Sequence, residues 1–375
     1  MNKISERRVI IWMLLLSITT LFGVARADDK VTVDPKAAKE FAVMPEGIPF
    51  PEGITINPDN GDVIVSTFSF NPSNWLVRFS KKGKLIAVAD LGPAPLLGLG
   101  YNPDDGLIYI CTAAALAGVG ASRIQRIDAE FVDSSTLEDV AIVPAISAPP
   151  PRTVVNPDTS EDIITFGNFA SAPNDLTFDS TDDLYFSDSF QGAIFKIADP
   201  ADNCPGPGCD VDTVAHHPLL ATAGFPGFGA NGVTLSDDEF HLFVANTGDD
   251  RILRVDLGAD LGDPDAVSVF AESINGADGV VNDGDGHLII AANQADQVVM
   301  LDIDTGRVRA ELGEFHGIKK GAPRGLLFPA SLAIAKKKII VTNLSFPLTM
   351  TMGDEPEEDV TEFTISSIKI PKIKD

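Results

Sequence analysis

Four short stretches of this chain share one arrangement: Pro51-Glu52-Gly53, Pro173-Asn174-Asp175, Ala230-Asn231-Gly232 and Ala277-Asp278-Gly279. In each, a proline or small residue leads into an oxygen-bearing side chain, then usually a glycine, then an apolar run. Two carboxylates and two amides converging on one point are costly to bury unless a cation stands between them. A hard divalent ion meets that need. Calcium accepts a mixed shell of carboxylate, amide and water oxygens at roughly 2.3–2.6 Å, and Glu52 with Asp278 supplies two negative charges against its two positive ones. Magnesium also takes oxygen ligands but holds to a stricter octahedral geometry, and zinc more often recruits His or Cys. Taken singly, each stretch is also an ordinary turn before a strand. Four of them in equivalent places are read as a ligand set.

The equivalence comes from a repeat. Helical periodicity is nearly absent after the first thirty residues, and short apolar runs recur between clusters of Asn, Asp, Gly and Pro, the all-β signature. The order strand, acidic turn, strand, polar turn, strand starts at Glu52, Leu97, Asn174, Asn231, Asp278 and Ala330. Most copies add a fourth apolar run: KLIAVADL, DVAIVP, AVSVFAE and RVRAEL. Four antiparallel strands repeated at this period predict a six-bladed β-propeller. The sixth copy has its third strand delayed to TEFTISSIKI and lacks a fourth after it; AKEFAVM near the N-terminus can supply that strand and close the ring. Residues 28–375 are therefore read as one propeller domain. The Pro-rich stretch SAPPPRTVVNPDTSEDI and the acidic stretch MGDEPEEDV read as excursions. In a propeller the first strand of each blade lines the central channel, so its opening residue sits at one mouth of it.

Residues 1–27 have a charged start, an apolar run from Val9 to about Val24 and the small-x-small site Ala25-Arg26-Ala27. That is an export signal, and it places the protein outside the cell or in the periplasm; an uncleaved anchor is the alternative, for which the run is short. The formal net charge is −26, and removing this segment makes it more negative still. So acidic a surface repels nucleic acid and anionic lipid, which are not expected as partners, and it makes cation binding plausible. Cys204 and Cys209 bracket the tight loop CPGPGC and are expected to pair in an oxidising compartment, two free thiols being the alternative. Cys111 reads as a buried thiol in a strand.

The blocks PEGI, PNDLTFDSTDDLYFSD, NGVTLSDDEFHLFVANT and ADGVVNDGDGHLIIA resemble the senescence-marker-protein/gluconolactonase family, which includes luciferin-regenerating enzyme. The resemblance runs over roughly residues 45–345. It implies a six-bladed propeller with calcium in the channel held by Glu52, Asn174, Asn231 and Asp278, and metal-assisted hydrolysis of a lactone or other ester. Asp278 would be general base or nucleophile, Asn174 and Asn231 would hold metal and substrate, and Glu52 would anchor the ion. Ala172 stands where sugar lactonases of the family often carry a substrate-binding arginine, which points to a less polar substrate. No histidine belongs to an aligned opening; His216-His217 is placed in a loop, and His241 and His287 begin second strands. A non-catalytic exported propeller with a structural calcium is the competing expectation, supported by a likeness of the block from Asp278 to NHL-type repeats.

Overall fold

The apolar runs form strands because each can bury one or both faces, and the turns between them are built to reverse the chain. In the first, Asn57 accepts from the Asp59 N–H through its side chain, its own N–H reaches the Asp62 carbonyl, and Gly61 takes a positive φ of 80°, a left-handed conformation that favours glycine. The computed structural model describes residues 30–373 except 168–169, 205–207 and 350–352. The expected signal at residues 1–27 lies outside the described residues. Among those described, no helix is long and apolar enough to cross a membrane.

Six blades of antiparallel strands follow one another. Blade 1 is Pro51–Ile56, Val63–Thr67, Asn74–Phe79 and Leu85–Gly92; blade 2 is Leu96–Tyr101, Leu107–Thr112, Arg123–Asp128 and Glu138–Ile142; blade 3 is Pro173–Phe178, Leu184–Asp188, Ala193–Ile197 and Asp212–His216. Blade 4 is Ala230–Leu235, His241–Asn246, Arg251–Asp256 and Val267–Glu272, and blade 5 is Ala277–Asn282, His287–Ala292, Gln297–Asp302 and Val308–Leu312. Blade 6 is Pro329–Ala335, Lys338–Asn343 and Thr364–Lys369, and the N-terminal Lys39–Val43 is its outer strand, so the ring is closed by the segment the sequence pointed to. Each first strand packs against the first strands of both neighbouring blades.

Burial follows position in the blade. Second strands such as Val63–Thr67 and Leu184–Asp188 are buried throughout, whereas the outer Val267–Glu272 is mostly open to solvent. The buried apolar residues gather between neighbouring blades, as where Ile64, Leu76 and Ala89 of blade 1 meet Leu99, Ile108 and Ile127 of blade 2. A blade thus buries its faces only by having neighbours.

Several features depart from expectation. His216 is not in a loop: it ends the outer strand of blade 3. Thr32–Asp34 adds a fifth, parallel strand to blade 5. The Pro-rich excursion contains a hairpin, Arg152–Val155 with Glu161–Ile164, and a second hairpin, Phe315–Lys319 with Ala322–Gly325, precedes blade 6. The cysteines are as expected: Cys204 and Cys209 form a disulfide, and Cys111 is fully buried. Arg126 holds the disulfide segment to blade 2, donating to the Pro200 and Cys204 carbonyls.

Candidate functional site

Every first strand breaks register with its neighbour at the same place. Pairing is lost between Pro51 and Ile54, Leu96 and Leu99, Pro173 and Leu176, Ala230 and Val233, Ala277 and Val280, and Pro329 and Leu332. These are β-bulges, which re-aim side chains at channel mouths. The first residue of each bulge is Glu52, Leu97, Asn174, Asn231, Asp278 or Ala330, so the sequence alignment of openings is the structural one. The second bulge position is usually glycine because the next blade's backbone lies against it: a Cβ on Gly53 would sit 2.1 Å from the Leu97 carbonyl oxygen, and one on Gly232 2.4 Å from that of Asp278. Blade 3 carries Asp175 there instead. Its room comes from Gly98, where a Cβ would lie 2.4 Å from the Asp175 Oδ1.

Glu52, Asn174, Asn231 and Asp278 are all buried and line one cavity of about 70 Å3. All six blades contribute to its wall, which places it on the axis. Asn174 Nδ2 donates to Ser189 Oγ at 2.8 Å, and Asn231 Nδ2 donates to Thr247 Oγ1 at 2.9 Å. Each hydroxyl then donates to a backbone carbonyl of the next blade, Ser189 to Ala230 and Thr247 to Ala277, both at 2.7 Å. An amide held this way by its nitrogen keeps its oxygen available. Asn293 Nδ2 donates to Asp278 Oδ2 at 3.0 Å. The same hydroxyl handover ties other blades: Ser66 donates to the Leu97 carbonyl and Thr342 to that of Glu52, each at 2.6 Å.

Ser189, Thr247 and Asn293 were not anticipated from the sequence. They occupy one repeat position, the residue after the second strand, whose N–H returns to the carbonyl just ahead of the first strand's opening. The other members of this second ring are Phe68, Ala113 and Leu344. The available signal was the ring itself: aligning strand ends as well as strand starts yields it. Also unanticipated are the apolar wall residues Pro226 and Phe228, on the segment before blade 4, and Phe346 and Leu348, at the head of the acidic excursion. No histidine lines the cavity. Ala172 is fully buried, its N–H bonded to Asp188 Oδ2, leaving no place for the arginine of sugar lactonases.

The electrostatics of the cavity are one-sided. Burial pushes the Glu52 carboxyl well above the ordinary carboxylate range, and the charges of Asp278 and Asp175 push it further. Asp278 is raised by burial and by Asp175, against hydrogen bonds from Asn293 and Asn231 that lower it. Asp175 is pushed up to about 7 by burial, although the Val233 N–H donates to its Oδ2 at 3.1 Å. Among the described residues, no cationic side chain lines the cavity. Glu52 Oε2, Asp278 Oδ1 and Asn293 Oδ1 are buried with no hydrogen-bond partner. Unpartnered buried carboxylate oxygens beside amide oxygens fit a hard divalent cation. Among the described residues, no three His, Cys, Asp or Glu side chains gather closely enough to hold an ion by themselves, so such an ion depends on the amides.

Residues 212–313 match the family described as SMP-30/Gluconolactonase/LRE-like region. No curated protein matches the sequence. Among solved structures, a calcium-binding protein, regucalcin, from Agrobacterium tumefaciens str. C58 is similar at 17% identity, covering 91% of this chain and 96% of its own, with a TM-score of 0.58. A luciferin-regenerating enzyme is similar at 12% identity, covering 86% and 92%, with a TM-score of 0.55. Virginiamycin B lyase from Staphylococcus aureus is similar at 15% identity, covering 89% and 99%, with a TM-score of 0.51. At these identities the likeness is one of fold, and the fold carries more than one chemistry. The chain is thus a six-bladed β-propeller whose residues 212–313, from the outer strand of blade 3 through blade 5, form an SMP-30/gluconolactonase/LRE-like region.

Proposed function

We propose that this protein is an exported, metal-dependent hydrolase of a lactone or other ester, with a divalent cation, calcium, held by Glu52, Asn174, Asn231 and Asp278. The observation that carries the reading is the pair of buried, unpartnered carboxylate oxygens, Glu52 Oε2 and Asp278 Oδ1, facing one cavity with two amides. When bound, such an ion supplies Lewis acidity toward a carbonyl oxygen and stabilises the oxyanion. The chain's own residues do the rest. Asn293 fixes Asp278 by its Oδ2, which leaves Oδ1 to take the proton of an attacking water. Ser189 and Thr247 fix the two asparagines so that their oxygens face ion and substrate. Glu52, lifted above its ordinary range by burial, is lowered again by a cation and serves as an anchor.

The family description of residues 212–313 names gluconolactonase, and the Agrobacterium neighbour is titled a calcium-binding protein; both support the reading. The small size of the cavity favours a second one, a binding propeller with a structural calcium. One experiment separates them. Purified protein lacking residues 1–27 is analysed for metal and assayed on lactones, aryl esters and phosphotriesters with and without chelator. Hydrolysis lost on chelation and restored by calcium is the expected result. Retained metal with no turnover of any class leaves only the structural role. Asp278→Ala and Asn231→Ala proteins that hold as much calcium as wild type would show that the ligand set is misassigned.

A further inference from the structure

The cavity has two unlike halves. Its polar half is Glu52 with the oxygen- and nitrogen-bearing residues of blades 3 to 5. The facing half is hydrocarbon: Phe68, Leu97, Phe328, Leu344, Phe346 and Leu348. These come from blades 6, 1 and 2 and from the excursion between the second and third strands of blade 6, and Pro226 and Phe228, ahead of blade 4, extend the hydrocarbon lining. The wall is stiffened by edge-to-face aromatic contacts, Phe68 with Phe346 at 5.6 Å between ring centres and Phe50 with Phe346 at 5.1 Å. It continues outward, because Phe70 packs on Phe68 at 5.3 Å and is itself 58% exposed. None of the six residues offers a side-chain hydrogen-bond donor or acceptor. A hydroxyl placed against them loses its water partners and gains nothing.

We propose that the substrate is a small ester or lactone with a bare hydrocarbon side, which lies against Phe68, Leu344 and Phe346 while its carbonyl faces Asp278 and Asn231, and that polyhydroxylated lactones are excluded. The proposal takes its chemistry from the hydrolase reading and its recognition from the cavity wall alone. Size narrows the class. A dry apolar cavity of roughly 150 Å3 holds a benzene ring, and this one measures about 70 Å3. At less than half that volume it encloses only a short acyl group or one edge of a small lactone ring, and the rest of the substrate runs out past Phe70. In the reaction, water oxygen bonds to the carbonyl carbon and the carbon–oxygen bond to the alcohol breaks. One water proton ends on the alcohol oxygen, and the other is released from the new carboxylic acid.

The test uses calcium-loaded protein. kcat/KM is measured for δ-valerolactone, phenyl acetate and glucono-1,5-lactone, and saturation-transfer NMR is recorded with benzyl alcohol and with glucitol as unreactive probes. The expected result is a preference of about 100-fold or more for the two unhydroxylated substrates, since a single misplaced hydroxyl is commonly discriminated about 100-fold. In Phe346→Ser, whose side chain is only partly buried, the preference shrinks at least tenfold while circular dichroism and calcium binding stay as in wild type. Glucono-1,5-lactone turned over as well as δ-valerolactone overturns the proposal and leaves the hydrolase reading standing. No hydrolysis of any substrate, with benzyl alcohol contacting the protein and losing contact in Phe346→Ser while glucitol does not bind, removes the hydrolase reading and keeps the apolar site. Absence of both turnover and benzyl alcohol contact removes both.

Discussion

Asn231 could turn its amide either way round, and Thr247 fixes which. The hydroxyl that receives Asn231 Nδ2 is itself oriented by donating to the Ala277 carbonyl, so nitrogen faces the blade and oxygen faces the axis. Thr247→Val keeps the shape and removes both bonds. Partners of metal ligands are typically worth 10–100-fold in affinity, so calorimetry should show calcium binding weakened by at least about tenfold, with the fold costing about 1 kcal/mol for each of the two lost bonds. An unchanged calcium affinity would remove Thr247 from the site. Asp175 supports a different prediction. Its carboxyl is raised to about 7 from an ordinary value near 4. For a group raised in the folded state, stability is fully present below the unfolded value and is lost as pH climbs through the folded one. Asp175→Asn retains an acceptor for the Val233 N–H but never ionises. In chelator the variant should match wild type at pH 4–5 and unfold at a higher temperature at pH 8, by an amount equivalent to at most about 4 kcal/mol. A variant less stable than wild type at pH 8 means that the carboxylate has a cationic partner there.

At the level of strands, what the sequence revealed depended on whether the feature repeats. The positions of the candidate ligands in the fold were legible because a bulge recurs at each opening and needs a proline or small residue on one side and usually glycine on the other, a pattern visible at Glu52, Asn231 and Asp278. The second ring was not, because the residue after the second strand has no such constraint and runs from Phe68 through Ser189 to Asn293. The apolar wall was less legible still: Phe346 and Leu348 sit on a connection that occurs once, and the Phe315–Gly325 and Arg152–Ile164 hairpins likewise follow no period. Blade 6 was legible through what it lacked. Its outer strand Lys39–Val43 pairs antiparallel with Thr364–Lys369 and buries Ala42 between blades 6 and 1. A chain shortened to start after Val43 leaves the Thr364–Lys369 edge open and the ring unclosed. Such a protein should lose its cooperative thermal transition and aggregate on size-exclusion chromatography. A sharp transition near that of wild type would show that the N-terminal strand is dispensable for closure.

Across the whole molecule, the four proposed ligands come from blades 1, 3, 4 and 5, so one ion bound by them would tie together elements far apart in sequence on a chain of formal net charge −26. Two effects of calcium must then be told apart: screening of the general negative charge, which any salt provides, and occupation of the channel site, which raises stability as the logarithm of free ion over its dissociation constant. The channel term has a pH signature. Glu52 and Asp278 are both held above the ordinary carboxylate range by burial, so protons compete with the ion for them, and binding weakens as pH falls through those raised values. The stabilisation by calcium should therefore be large at pH 8 and small at pH 5. At one hundred times the dissociation constant it amounts to about 2.7 kcal/mol, a shift of several degrees in the thermal midpoint. Sodium chloride of equal ionic strength should give little shift at either pH. In Asp278→Ala the calcium and sodium curves should coincide. A calcium effect that persists unchanged in that variant, or that grows toward pH 5, belongs to surface carboxylates and not to the channel.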